Sequence, residues 1–383
     1  MTAFSPKPAL TGSQDHPELS DRSDVRAVMW AEQLKRAQLD GSTSTPLQNE
    51  QITERLGQAV DRAMAEGAIW APTLAARAVR QAQGDSIEAA HLLRAHRLRL
   101  PRLAVTEPTP TDEMRLLRRI VPTQQGPDSG PQRLGASDDY SARLLDTSAV
   151  PTTAALSPDE QPDYRITEEG AVTAPIPRLT DLLRELDLLA RKERTEPDPP
   201  TRGVRSDPPT RSFRRTLMAR ADSTAIVAMA YQTTYVGDHA ADYPTLSELR
   251  YGHLPLAVAH PTTGGRVVIG TIPVTEAEVV ADLDGPDHDE RYFDAGYGAC
   301  LGHLETKAIA IALLDLAVEQ KGPGSPLAHA VEHGLDGLDA AGLLASLKLP
   351  RYVSFQAKLE RKLATRTPRS DATTNTTEGG YAS

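Results

Sequence analysis

Glu276 and Glu278 stand two residues apart at the end of an apolar stretch, Arg266 to Val274, that reads as a β-strand. If the backbone stays extended, both carboxylates point to one face. A carboxylate pair is the equipment for cleaving a glycosidic bond, which passes through an oxocarbenium-like state. The plainer alternative stays open: an acidic surface edge running on into Asp282 and Asp284. Twenty residues later, Gly296-Tyr297-Gly298 precede a strongly apolar helix, Leu304 to Glu319. We read Ala295 to Gly302 as a glycine-rich loop whose backbone amides could meet a phosphate at the helix N-terminus. It lacks the spacing of a dinucleotide or P-loop fingerprint, and a tight turn into the helix explains it equally well. Lys307 falls in the first turn of that helix, where the dipole disfavours a cation, so it hints at an anionic partner. Lys348 and Arg351 flank Pro350 in an extended piece and could contact a phosphate or ribose, or simply form a polar interface rim. Cys300 has no activating neighbour in sequence and reads as a small buried residue. His239, His253 and His303 read as hydrogen-bonded structural residues.

The elements that would position these groups divide the 383 residues into unlike parts. Residues 1–23 are a polar, Pro-containing tail. Residues 24–103 carry helical periodicity: a first stripe at Val25, Val28, Met29 and Leu34, then helices at Gln51–Glu66 with Gly67 as cap, from Pro72 to near Gly84, and through Ile87, Leu92 and Leu93. The arginine-rich run from Arg94 to Arg102 reads as a solvated or partner-facing surface. Residues 104–210 are rich in Pro, Asp, Thr and Gly, with one helix at Leu179–Arg191, and should form an extended arm that orders on a partner. Residues 211–364 regain regularity, with strands expected at Ile226–Tyr231, Leu254–Val258 and Arg266–Val274, a Gly264-Gly265 hairpin turn, a short helix near Ala340 and a last helix at Ser354–Ala364. Residues 365–383 are a second polar tail. The expected fold is α+β: an N-terminal helical domain, a long irregular Pro-rich arm, and a C-terminal mixed α/β domain with a small antiparallel sheet.

Composition narrows the function. The net charge of −10 argues against nucleic-acid coating. A single cysteine rules out an intrachain disulfide or a cysteine-held iron–sulfur cluster and fits a cytoplasmic protein. No signal peptide or membrane span is expected.

Three stretches together resemble the I subunit of the bacterial carbon–phosphorus lyase that degrades phosphonates. They are Ala59-Val60-Asp61-Arg62-Ala63-Met64-Ala65-Glu66-Gly67 running on to Leu92-Leu93-Arg94-Ala95; Gly296-Tyr297-Gly298 with Gly302 and Glu305-Thr306-Lys307 to Asp315; and Ala340-Ala341-Gly342 with Leu347-Lys348-Leu349-Pro350 and Tyr352 to Ala357. Thr275-Glu276-Ala277-Glu278 joins them, and the order holds from about Val25 to Leu363. The resemblance implies a subunit of a core complex with G, H and J subunits and accessory ATP-binding subunits. It implies transfer of the ribose triphosphate of ATP to a phosphonate with release of adenine, and a nucleosidase acting on ATP or GTP when alone. In that family two histidines around Leu-Lys-Leu-Pro help hold zinc at the J boundary. Those positions here are Ser346 and Arg351, neither a usual zinc ligand. The rival expectation is therefore a structural subunit that has lost its metal site.

Overall fold

The computed structural model describes residues 26, 29–34, 36–37, 45–122, 177–189, 209–235, 244–282, 291–333, 337–347 and 352–366. Residues 47–338 form one compact unit; residues 1–46 with 339–383 form another. No helix among the described residues is long and apolar enough to cross a membrane.

The first unit opens with a helical layer: α1 (Asn49–Arg55), α2 (Gly57–Gly67), α3 (Pro72–Gln81) and α4 (Ser86–Arg99). One helix is expected over Gln51–Glu66; instead Leu56, at φ −118° and ψ 35°, breaks it between α1 and α2. The left-handed residue after α2 is Ala68 rather than Gly67, whose missing side chain serves contact with Leu93. Pro72 opens α3, and the Asp85 carboxylate accepts from the amides of Ile87 and Glu88 at the start of α4. Ile52, Val60, Met64, Val79 and Leu93 pack with many alanines, so the helices approach closely. The arginines of α4 partly turn inward. Arg94 donates to the Glu66 and Arg220 carbonyls, and Arg97 to that of Ala68, satisfying helix ends.

Among the described residues of 104–210, the strand β1 (Arg115–Ile120) follows a 3₁₀ turn at Thr111–Glu113. The short helix α5 (Leu179–Glu185) follows and stops earlier than expected: Asp187 adopts φ 55°, and Leu189 bridges to Phe293. Then come α6 (Arg211–Arg220), α7 (Ser223–Tyr235), β2 (Thr245–Ala259), β3 (Arg266–Ala281), β4 (Asp294–Leu301), α8 (Glu305–Lys321) and α9 (Pro326–His333). The strands form one antiparallel sheet in the order β1-β2-β3-β4. The α+β expectation is met, and the Gly264-Gly265 turn joins β2 to β3, with the His260 amide donating to the Gly265 carbonyl.

Two expectations fail. Ile226–Tyr231 is helical, inside α7, not a strand. Six apolar residues cannot distinguish the two periods. Burial of Ile226 and Ala230 with Tyr231 exposed follows the helical step, and the Asp222 carboxylate caps the first turn through the Ala225 amide. Ala295–Gly302 is largely strand β4, not a phosphate-cradling loop. The glycines are there because α8 crosses the strand: a Cβ on Gly298 would lie 2.1 Å from the Ala308 carbonyl, and one on Gly296 2.2 Å from that of Ala312. Ala277, Val279, Ile311, Leu314 and Leu316 build the core between sheet and α8. Cys300 is buried there, and burial pushes its thiol up to about 12.

In the other unit, α10 (Gly337–Ser346) and α11 (Tyr352–Arg366) meet the expected C-terminal helices. Leu343, Leu344, Phe355 and Leu359 are exposed along them.

Candidate functional site

Residues alternate sides along β3, so Glu276 and Glu278 share the face opposite α8. They are buried, not a solvent-facing edge: Glu276 is 1% exposed and Glu278 7%. Register places Arg250 of β2 beside Glu276 and Tyr297 of β4 beside Glu278. The Tyr297 hydroxyl donates to Glu276 at 2.8 Å. Across the top runs the segment that enters α5. Its Arg178 guanidinium bridges both carboxylates, 2.9 Å to Glu278 and 3.2 Å to Glu276, and also meets Asp112 and Thr111. Thr180 donates to Glu278 at 2.7 Å, the Leu179 amide to Glu248 at 3.0 Å, and Arg119 to Glu248 at 2.7 Å. The segment leading into α5 is thus tied to the sheet by ion pairs and hydrogen bonds.

Burial raises the Glu276 carboxyl above the ordinary carboxylate range, with Arg178, Tyr297, Thr111 and Arg250 pulling the other way. Burial works against the charge of Arg178, but Glu276 and Glu278 outweigh it and hold the guanidinium more firmly protonated. Burial, then the neighbouring Glu276, raises the Tyr297 phenol, which stays a donor. The Glu276 Oε1 accepts no well-aligned hydrogen bond among the described residues; Arg178 at 3.2 Å and Arg250 at 3.5 Å face it as ion-pair partners.

Beside this face opens a cleft of about 660 Å³, within the range of small-molecule sites. Glu278, Gly296 and Tyr297 form its floor; Arg178, Arg184, Arg211 and Arg215 stand around it. Arg211 and Arg215 rise one turn apart from the start of α6 and both grip Asp315 of α8, each at 2.7 Å. Burial opposes the Asp315 charge, but the hydrogen bond from Arg211 and the charge of Arg215 hold its carboxyl below the ordinary value. The Arg215 guanidinium lies 5.3 Å from the Tyr297 ring centre, over its face.

The structure therefore brings together Glu276, Glu278, Gly296 and Tyr297. Gly298 is packed behind them against α8. Lys307 is elsewhere: its buried ammonium donates at 2.7 Å to the carbonyl of Ala221, which caps the C-terminus of α6, where the helix dipole favours a cation. Lys348 and Arg351 lie outside the described residues, as does the side chain of Ser346. Sequence reasoning missed Arg178, Arg211, Arg215 and Asp315. The Arg211, Arg214, Arg215 spacing was a legible signal, since steps of three and four put them on one helix face toward Asp315 and Glu319. Nothing local distinguished Arg178 from its neighbours in a Pro-rich arm.

A family model described as "Bacterial phosphonate metabolism protein (PhnI)" matches residues 22–369. Over 345 residues the chain is 36% identical to the alpha-D-ribose 1-methylphosphonate 5-triphosphate synthase subunit PhnI of Escherichia coli (strain K12), spanning 88% of this chain and 94% of that one. It is 33% identical over 322 residues to the subunit of the same name in Rhizobium meliloti (strain 1021), spanning 81% and 84%. It is 34% identical over 382 residues to the putative C-P lyase subunit protein HtxH of Stutzerimonas stutzeri, spanning 94% and 97%.

Proposed function

The chain belongs to the PhnI family of bacterial phosphonate metabolism proteins, and on that premise we propose that it acts on the base–sugar bond of ATP as one subunit of a carbon–phosphorus lyase complex. In this reading the C1′–N9 bond of ATP breaks, adenine leaves, and a phosphonate oxygen bonds to C1′. The observation that carries it is the buried carboxylate pair on β3 beside an arginine-rimmed cleft.

The residues divide the work by charge. Arg184, Arg211 and Arg215 offer guanidinium edges to a triphosphate. Glu278, on the cleft floor, faces the positive charge that develops on the sugar ring, where a prepositioned anion is most effective. Glu276 stands behind it and orients Tyr297 and Arg178. Without ligand, Arg178 supplies the positive charge that the pair requires; a cationic ribosyl centre would take over that position. A serine hydroxyl at 346 and a guanidinium at 351 do not fit a zinc ion, so no step here runs through a metal. G, H and J subunits and accessory ATP-binding subunits are the partners this reading assigns.

Adenine release from ATP by the assembled complex tests it. Glu278→Gln should lower the rate by about a hundredfold or more, in the range of a lost transition-state electrostatic contact, with the subunits still assembled. An unchanged rate overturns the reading. A second reading, a structural subunit without its own chemistry, is favoured by the way Arg178 already neutralises both carboxylates. It predicts that the Glu278→Gln complex keeps full adenine release.

A further inference from the structure

The opposite face of the same sheet carries a second cluster. Tyr251 of β2 stacks on His303, just after β4, with ring centres 4.2 Å apart and planes 15° apart. Both rings are half-buried and line a cleft of about 880 Å³, together with Asp61 and Gln58 of α2. An adjoining cleft of about 430 Å³ shares His303 and Gln58. Tyr251 pairs in register with Thr275 and Arg250 with Glu276, so this cleft and the carboxylate face lie on opposite sides.

The turn that aims His303 is held at every step. Gly302 adopts φ +81°, its amide donates to the Pro273 carbonyl, and its carbonyl accepts from Thr275 at 2.6 Å. The His303 amide donates to Asp61 Oδ2 at 2.9 Å, and the Leu304 amide to Thr275. The ring itself is fixed by Glu305, 3.1 Å from Nε2; Glu305 in turn holds Arg118 at 2.7 Å. Asp61 takes the His303 amide through Oδ2, and its carboxylate lines the cleft beside both rings. Burial raises its carboxyl, and burial, then the nearby Asp61, raises the Tyr251 phenol.

We propose that the Tyr251–His303–Asp61 cleft is a second binding site, for the ring of an amino-bearing purine. A rigid aromatic pair with an accessible face is a stacking platform. The Asp61 carboxylate, lining the same cleft, can accept from an exocyclic amino group. The Gln58 amide offers one donor and one acceptor to the remaining edge. The cleft is larger than a base, so the purine arrives either free or as part of a nucleotide. The choice of purine among planar heterocycles rests on the reading of the chain as acting on ATP.

Titration of the full-length chain with 2-aminopurine, followed by fluorescence, tests this. Stacking should quench the probe, and adenine should displace it better than hypoxanthine, which lacks the amino group. His303→Leu and Tyr251→Leu should each weaken binding by about tenfold or more, since stacking on an aromatic side chain is the main attraction. His303→Phe, which keeps a ring, should bind nearly as the parent does, and this guards against a fold defect. Displacement by ATP as well as by adenine assigns the site to the base of an intact nucleotide; displacement by adenine alone assigns it to the free base. Absence of quenching, or full binding by both leucine variants, overturns the proposal and leaves the cluster a tie between helical layer and sheet. The readout is equilibrium binding, so it fails or succeeds independently of adenine release.

Discussion

Arg178 is the residue on which the carboxylate face depends. It is 12% exposed and its side chain meets Glu276, Glu278, Asp112 and Thr111. Removing one partner of a buried ion pair leaves the other charge in a medium that solvates it poorly. Arg178→Ala should therefore cost about 3–5 kcal/mol in unfolding free energy, measured by urea denaturation. Adding Glu276→Gln should return part of that loss, because the stranded charge is gone. A loss near the ~1 kcal/mol of a surface pair would mean that the segment leading into α5 is held by something else. Glu276 and Glu278 were legible as a pair because period-two spacing needs no tertiary knowledge. Their burial was not, since it comes from a guanidinium about a hundred positions away in an arm with no regular pattern. Lys307 shows the converse: its unfavourable place on a helix was visible, but the partner is a carbonyl, which no sequence displays.

At the scale of elements, β4 and α8 are matched by absence of side chains. Gly296 and Gly298 present their Cα atoms to the Ala308 and Ala312 backbone. Gly298→Ala should force the helix outward and destabilise by about 1–3 kcal/mol or more, as overpacking does. Thermal denaturation reads the loss, while an unaltered melting temperature would show that α8 can shift freely. Cys300→Ala, two residues along, adds no atoms and is the natural control. The glycines were visible in sequence and suggested a loop, because glycine is common where backbones turn. Close helix approach demands the same residue for a different reason, and only the pairing register with β3 separates the two. The helices α3 and α4 were readable because Pro72 suits a first turn and the apolar residues Ile87, Leu92 and Leu93 mark a helical stretch. The break at Leu56 was not, since no Pro or Gly precedes it to announce the change.

Over the whole molecule, the α+β class, helices with a small antiparallel sheet, followed from composition shifts and periodicity. The strand β1 was hidden, because Arg115-Leu-Leu-Arg-Arg-Ile alternates poorly and becomes a strand only by pairing with β2. The contact between Lys307 and the end of α6 has a consequence for how the parts come together. The ammonium is 2% exposed, burial lowers its affinity for the proton, and it donates to the Ala221 carbonyl. Until α6 is seated, the first turn of α8 must keep that charge hydrated, so it cannot close fully on the sheet. The two helices are therefore expected to gain and lose their protection as one cooperative unit. Native-state hydrogen exchange would show amides of α6 and α8 merging into a single opening with rising denaturant, and two separate openings would refute it. A buried cation becomes, on this view, a timing device: it obliges two segments distant in the chain to arrive together.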